Sequence, residues 1–129
     1  MAGLDFLSIA AGLALEPAHL VGTGGAIGAI ARHIVYTRLS TDSFPLATLL
    51  VNVLGSTLFA LLVFGGAGES TVQLLGIGAC GAFTTFSTFS VETVQRWERG
   101  QRGVAVLNAI ANLLGALAGI GVAWLLLAM

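Results

Sequence analysis

The residues best suited to chemistry lie in one short stretch, residues 78–90, in the middle of an apolar segment. The stretch reads GACGAFTTFSTFS and holds five hydroxyl side chains, three Phe and two Gly. Glycine relaxes the backbone and hydroxyls bond freed backbone groups, so this pattern predicts a broken helix. A break at membrane depth exposes carbonyl oxygens, which bind hard cations, and N–H groups and hydroxyls, which bind anions.

Two Phe within this stretch and three Asn elsewhere in the chain are candidates for an anion path. Phe86 and Phe89 share one helix face, and the positive edge of a Phe ring favours a small anion. Asn52 lies about eight residues into another apolar segment, where an amide either joins helices or donates to a polar path. Asn108 and Asn112 share a face because they are four residues apart. Simple packing of the Phe rings, with hydroxyls bonded to their own helix, remains the alternative.

The composition excludes most soluble classes. Of 129 residues, 57% are hydrophobic and 9% are charged, whereas soluble domains average about 25% charged residues. The class is therefore integral membrane, with one domain. The net charge of −1 gives no sign of a basic surface that would bind nucleic acid. The lone Cys80 excludes an intrachain disulfide. The sequence shows no pair of a nucleophile and a base that would indicate an enzyme.

The apolar segments predict an all-α protein with four transmembrane helices, the third of them broken. Residues 1–17 form an interfacial or loosely ordered lead-in, because their apolar run is too short to span about 30 Å of hydrocarbon. Residues 18–129 form the four-span domain. Small-residue pairs at i and i+4, in the first and fourth spans, let helix backbones approach closely. The predicted spans are residues 18–36, 45–64, 71–93 and 104–127.

Charge placement predicts the orientation in a cell membrane. All five basic residues are Arg, on or beside the connectors after spans one and three. The positive-inside rule makes those connectors cytoplasmic and places both termini outside. No Arg or Lys is expected deep in a span. Arg32 and Glu92 lie near the same membrane face and are expected to pair.

Three segments carry a family resemblance that covers nearly the whole chain after residue 20. They are GGAIGAIAR at residues 24–32, TLLVNVLGS at residues 48–56 and the stretch at residues 78–90. With these motifs the chain resembles the small dual-topology fluoride channels (the Fluc or CrcB family). The resemblance implies an antiparallel dimer in the lipid bilayer, with two narrow fluoride pores. It also implies passive export of cytosolic fluoride, which relieves fluoride toxicity.

The resemblance further implies roles for individual residues. Backbone carbonyls of Gly81 and Thr84 from both subunits would surround a structural Na⁺ at the dimer centre. The chain departs from the family at Asn108 and Asn112, since many members have Tyr and Ser on that helix, and at Ala82, where Gly is common. The predicted fluoride pathway comprises Asn52, Thr85, Phe86, Ser87, Thr88, Phe89, Asn108 and Asn112.

Two alternatives and one question of assembly stay open. A four-span proton-coupled multidrug exporter needs a carboxylate in mid-span, and the acids of this chain lie at ends or in connectors. A non-transporting assembly subunit would use the glycines and Asn side chains for packing alone. The one-sided Arg distribution predicts a fixed orientation, so the partner is either a second copy or an oppositely oriented paralogue in a heterodimer.

Overall fold

The computed structural model describes residues 17–39 and 41–129, and every regular element in those ranges is a helix. The elements are α1 (Pro17–Leu39), α2 (Leu46–Phe64), α3 (residues 69–83), α4 (Phe86–Glu98) and α5 (Arg102–Leu127). In α3 a π-helical middle, Val72–Cys80, lies between short α-helical ends, Glu69–Thr71 and Gly81–Phe83. The predicted lead-in, residues 1–17, lies outside the described residues except for Pro17.

Within the described ranges, three segments are long and apolar enough to cross a membrane, namely Leu46–Phe64, Glu69–Glu98 and Arg102–Leu127. α1 has 23 residues but is not among them, because glycines, two His and two Arg dilute its apolar character. Large apolar side chains point outward along the bundle; Ile30 is 63% exposed and Leu113 is 62% exposed. A surface this apolar needs lipid or protein around it, which confirms the all-α membrane class.

α1 packs on α3 backbone to backbone. A Cβ added at Gly24 would overlap the Leu74 carbonyl, and one at Gly28 would overlap the Ala79 carbonyl. Both carbonyls belong to the π-helical part of α3. The first small-residue pair therefore serves contact within the chain, where only hydrogen side chains let the two backbones approach.

α5 packs on α2 through the second small-residue pair. A Cβ at Gly115 would lie 2.7 Å from Val53 Cγ2, and one at Gly119 would overlap the hydroxyl of Thr57. Thr57 in turn donates to Val53 O at 2.7 Å. Both glycine pairs therefore pack against helices of the same chain.

Arg96 joins two connectors at one end of the bundle. Its Nη1 donates to Asp42 O at 3.3 Å, to Ser43 O at 3.1 Å and to Gln101 Oε1 at 3.1 Å. The connector between α1 and α2 therefore lies beside the one between α4 and α5. At the opposite end, Gly65 lies near Leu127, the last residue of α5. The chain runs up and down through the bundle.

Candidate functional site

The helical backbone is interrupted between α3 and α4. Thr84 (φ −78°, ψ 162°) and Thr85 (φ −153°, ψ 117°) are extended. The Thr85 hydroxyl caps α4 by accepting from Thr88 N at 3.1 Å, and it donates to Thr88 Oγ1 at 3.0 Å. The Thr84 hydroxyl donates back to Cys80 O at 3.0 Å. These hydroxyls stabilise the two helix ends that the interruption creates.

Asn52 on α2 holds the interruption open. Its Oδ1 accepts from Thr85 N at 2.8 Å, and its Nδ2 donates to Thr85 O at 3.1 Å. Thr85 is 6% exposed, so its backbone groups have little access to solvent. An unpaired backbone group at such a site costs about 1–3 kcal/mol. The amide thereby replaces the helical hydrogen bonds that Thr85 lacks.

The amides continue from Asn52 along α5. Asn52 Nδ2 donates to Asn112 Oδ1 at 2.9 Å, and Asn112 Nδ2 donates to Asn108 Oδ1 at 2.9 Å. Asn108 Nδ2 then donates to Thr93 Oγ1 on α4 at 2.9 Å. We call Asn52, Asn112, Asn108 and Thr93 the amide ladder. It joins α2, α5 and α4 through two buried amides, Asn108 and Asn112, and two half-buried side chains, Asn52 and Thr93.

A cavity of about 310 Å³ lies beside the upper part of the ladder. Phe86 and Phe89 form one side of it; their ring centroids are 5.6 Å apart with the planes tilted by 47°. Phe86 is 79% exposed. One wall is thus polar and another aromatic. The lining residues are Asn52, Ser56, Thr84, Thr85, Phe86, Phe89, Ala109, Asn112, Leu113 and Ala116.

The cavity brings together five of the eight residues predicted for the fluoride pathway: Asn52, Thr85, Phe86, Phe89 and Asn112. The other three lie elsewhere. Asn108 is fully buried in the ladder, and Ser87 is exposed on the first turn of α4. Thr88 lines a second cavity, of about 350 Å³, with Ala29, Arg32, His33 and Tyr36.

The carbonyls predicted to bind Na⁺ lie at the interruption. Neutral carbonyl oxygens suit a hard cation, and a Cβ at Gly81 would meet nothing within 4 Å, so this backbone is open to approach. Thr84 O accepts from Arg32 Nη1 at 3.2 Å, which occupies one of its two lone pairs. Gly81 O likewise accepts from Thr84 Oγ1, at 3.4 Å, so each of the two carbonyl oxygens keeps one lone pair for a further partner.

Arg32 bears on two expectations drawn from the sequence. Its guanidinium donates to Thr84 O, which brings a full positive charge to the polar stretch, while the expectation that no Arg or Lys lies deep in a span stays a prediction. The predicted pair with Glu92 is not formed within the chain. Arg32 contacts Thr84, just before α4 begins at Phe86, whereas Glu92 lies six residues beyond Phe86, about 9 Å further along that helix. The Glu92 Oε2 accepts instead from Thr48 Oγ1 at 2.6 Å.

Sequence reasoning also missed Thr48 and Tyr36 as parts of the polar interior. Thr48 is fully buried, and its only O–H is used on Glu92, so Tyr36 is the donor in its 2.6 Å contact with Thr48 Oγ1. Thr48 precedes Asn52 by four residues, and this spacing is the signal that places both on one helix face.

Comparison with known proteins places this arrangement in a family. A family model described as CrcB-like protein, Camphor Resistance (CrcB), matches residues 19–124. The chain belongs to the CrcB-like family. The resemblance seen in the sequence is confirmed, and the match includes every ladder and cavity residue.

Three CrcB-like relatives are named as fluoride-specific ion channels. FluC 2 of Haloarcula marismortui is 54% identical over 112 residues, which is 87% of this chain and 94% of that protein. FluC 1 of Halobacterium salinarum is 45% identical over 117 residues, 91% and 98% of the two chains. FluC 3 of Methanosarcina acetivorans is 43% identical over 109 residues, 84% and 98%. These names describe ion channels, which confirms that the chain is not an enzyme.

Proposed function

We propose that the chain is a fluoride channel subunit that gives passive export of cytosolic fluoride and so relieves fluoride toxicity. One observation carries the proposal: the cavity between α2, α4 and α5 combines amides and hydroxyls with the rings of Phe86 and Phe89. The names of the relatives support the same ion. Export direction follows if trapped cytosolic anion leaves down its gradient and the membrane potential.

The chemistry of the cavity suits a small, strongly hydrated anion. Removing water from fluoride requires many donors, which Asn, Thr and Ser supply, while ring edges add a weak positive field. Arg32 lies at the interruption but is absent from the cavity lining. Its charge attracts an anion without binding it directly, and weak contacts let an ion leave as readily as it enters.

The proposed assembly is an antiparallel dimer of four-span subunits, in which α1 is the first span and residues 69–98 are the broken third. Its support is a groove of about 340 Å³ on the outer side of α2 and α3. Gly81 and Thr84 line this groove together with Gly55, Ser56, Phe59, Gly76, Ile77 and Cys80. An inverted second chain would cover this groove and complete the pores.

A structural Na⁺ at the dimer centre is part of this proposal. Gly81 and Thr84 would each offer one carbonyl oxygen, and the second chain would offer the same pair. When bound, the ion would supply positive charge that holds carbonyl dipoles of two subunits together. The contact of Arg32 with Thr84 O would orient that carbonyl from the side opposite the ion.

The orientation and the partner are proposed from charge. The connectors that Arg96 joins would be cytoplasmic, and both termini would lie outside. An inverted partner then needs the opposite bias, so we propose a heterodimer with an oppositely oriented paralogue; a homodimer of both orientations is the competing assembly.

Fluoride efflux from liposomes tests the proposal. The protein, with its partner subunit where one is required, is reconstituted and loaded with fluoride or, as a control, with chloride. We expect efflux of fluoride and retention of chloride. A stable dimer that releases no fluoride would refute the channel and leave a non-transporting assembly subunit, whereas proton-driven export of organic cations would indicate the multidrug exporter.

A further inference from the structure

The orientation of the amide ladder is set by one backbone group. Thr85 N–H can only donate, so the Asn52 atom 2.8 Å from it must be the acceptor Oδ1. The Asn52 NH₂ group then faces Thr85 O and the side chain of Asn112. The Asn112 atom that meets it must in turn be Oδ1, which points the Asn112 NH₂ group at Asn108.

This orientation leaves no spare N–H on the two amides that line the cavity. Asn52 directs one N–H to Thr85 O and the other to Asn112 Oδ1. Asn112 directs its Nδ2 to Asn108 O at 3.0 Å and to Asn108 Oδ1 at 2.9 Å. An anion entering the cavity therefore meets amide donors that are already occupied.

Only one of these hydrogen bonds lies where an anion in the cavity could replace the acceptor. The bonds of Asn112 to Asn108 end on a fully buried residue, and the bond of Asn52 to Thr85 O ends on a backbone carbonyl held by the interruption. The bond between Asn52 and Asn112 joins two side chains that both line the cavity. An anion in the cavity can displace Asn112 Oδ1, which then faces the same cavity.

We propose that Asn112 is a specificity-determining residue whose side-chain oxygen competes with the permeating anion for one N–H of Asn52. This inference rests on the proposed fluoride channel and deepens it. The ligand is a small anion that accepts hydrogen bonds strongly, because a weak acceptor gains less from an N–H that already has a carbonyl partner.

Competition of this kind serves conduction. A conducting site must bind strongly enough to admit the ion and weakly enough to release it. The carbonyl of Asn112 returns to the N–H when the ion leaves, so the donor is never left unpaired inside the protein. The exchange replaces one acceptor by another, which keeps the net binding free energy small.

The test compares fluoride binding and flux in the wild type, in Asn112→Ala and in Leu114→Ala, each as the full chain with its partner subunit. Leu114→Ala is the matched control, since Leu114 lies on the same helix, is 58% exposed and is not among the residues that line the cavity. Fluoride titration followed by ¹⁹F NMR gives affinity, and liposome efflux gives the half-saturating concentration and the maximal rate. Asn112→Leu, which keeps the branching of Asn at Cγ but forms no hydrogen bond, replaces the Ala variant if that protein does not form a dimer.

Loss of the competing oxygen is expected to tighten fluoride binding by about two- to tenfold, the range that one net hydrogen bond supplies. The half-saturating concentration falls and the maximal rate falls with it, while Leu114→Ala changes neither. Weaker or unchanged binding in the Asn112 variants overturns the inference. A wild type that passes no fluoride refutes the channel, and the titration then still decides whether Asn112 competes.

Discussion

Asn52 satisfies both backbone groups of Thr85, at 2.8 Å from the N–H and 3.1 Å from the carbonyl oxygen. A residue on α2 thus stabilises the two extended residues that separate α3 from α4, 33 positions along the chain. The interruption depends on this cross-helix contact as much as on its own Gly and Thr content.

We expect Asn52→Ala to abolish fluoride efflux and to destabilise the protein by about 2–4 kcal/mol, because two backbone groups of Thr85 lose their partner. Thermal unfolding of the detergent-purified protein measures the loss. Leu54→Ala is the control, since Leu54 is on the same helix, is 43% exposed and does not line the cavity. An unchanged unfolding temperature in Asn52→Ala would contradict the role assigned to this amide.

Phe86→Ile removes the ring edge while keeping an apolar side chain at a position that is 79% exposed. We expect fluoride efflux to fall by about two- to tenfold, since an aromatic edge contributes about 0.5–1.5 kcal/mol. Efflux from liposomes measures the effect. Phe64→Ile, at the end of α2, should leave efflux unchanged, and equal losses in the two variants would show that the ring edge has no special part.

Gly28→Ala and Gly25→Ala form a matched pair on α1. A Cβ at Gly28 would overlap the Ala79 carbonyl, whereas one at Gly25 meets nothing within 4 Å. We expect Gly28→Ala to cost about 1–3 kcal/mol through overpacking and Gly25→Ala to be neutral or to stabilise by about 0.5–1 kcal/mol. Thermal unfolding decides. Similar values for both would mean that α1 does not pack on α3 through this face.

The contact between Thr48 and Glu92 is suited to a double-mutant cycle. Thr48→Val and Glu92→Gln each remove part of the 2.6 Å hydrogen bond, and a bond to a charged group contributes about 1.5–3 kcal/mol. We expect the double variant to lose less stability than the sum of the two single variants, by about 1 kcal/mol. Additive losses in the free energy of unfolding would show that the two side chains act independently.

The chain expressed alone should insert in one orientation. Single cysteines at Thr41 and Gly68, introduced by Thr41→Cys and Gly68→Cys with Cys80→Ala, mark the two sides of the membrane. An impermeant thiol reagent should label position 68 on intact cells and position 41 only after permeabilisation, because the Arg-bearing connectors favour the cytoplasm. Labelling of both positions on intact cells would indicate two orientations and a homodimer.

Several features of the chain follow from its sequence alone. The scarcity of charge predicts a membrane protein, apolar segment lengths predict helices, and the stretch at residues 78–90 identifies the family. These are local or compositional properties, so no knowledge of neighbouring helices is needed to see them.

Only the tertiary structure decided which groups meet. The Gly24 and Gly28 pair was visible in the sequence, but its contact with the π-helical part of α3 was not. The ladder bond between Asn52 and Asn112 joins residues 60 positions apart, and Arg32 reaches Thr84 across 52 positions. Such contacts depend on how each helix is rotated and how deeply it lies against its neighbours. A rotation of one residue, about 100°, would present a different side chain, and residue spacing within one helix carries no record of that choice.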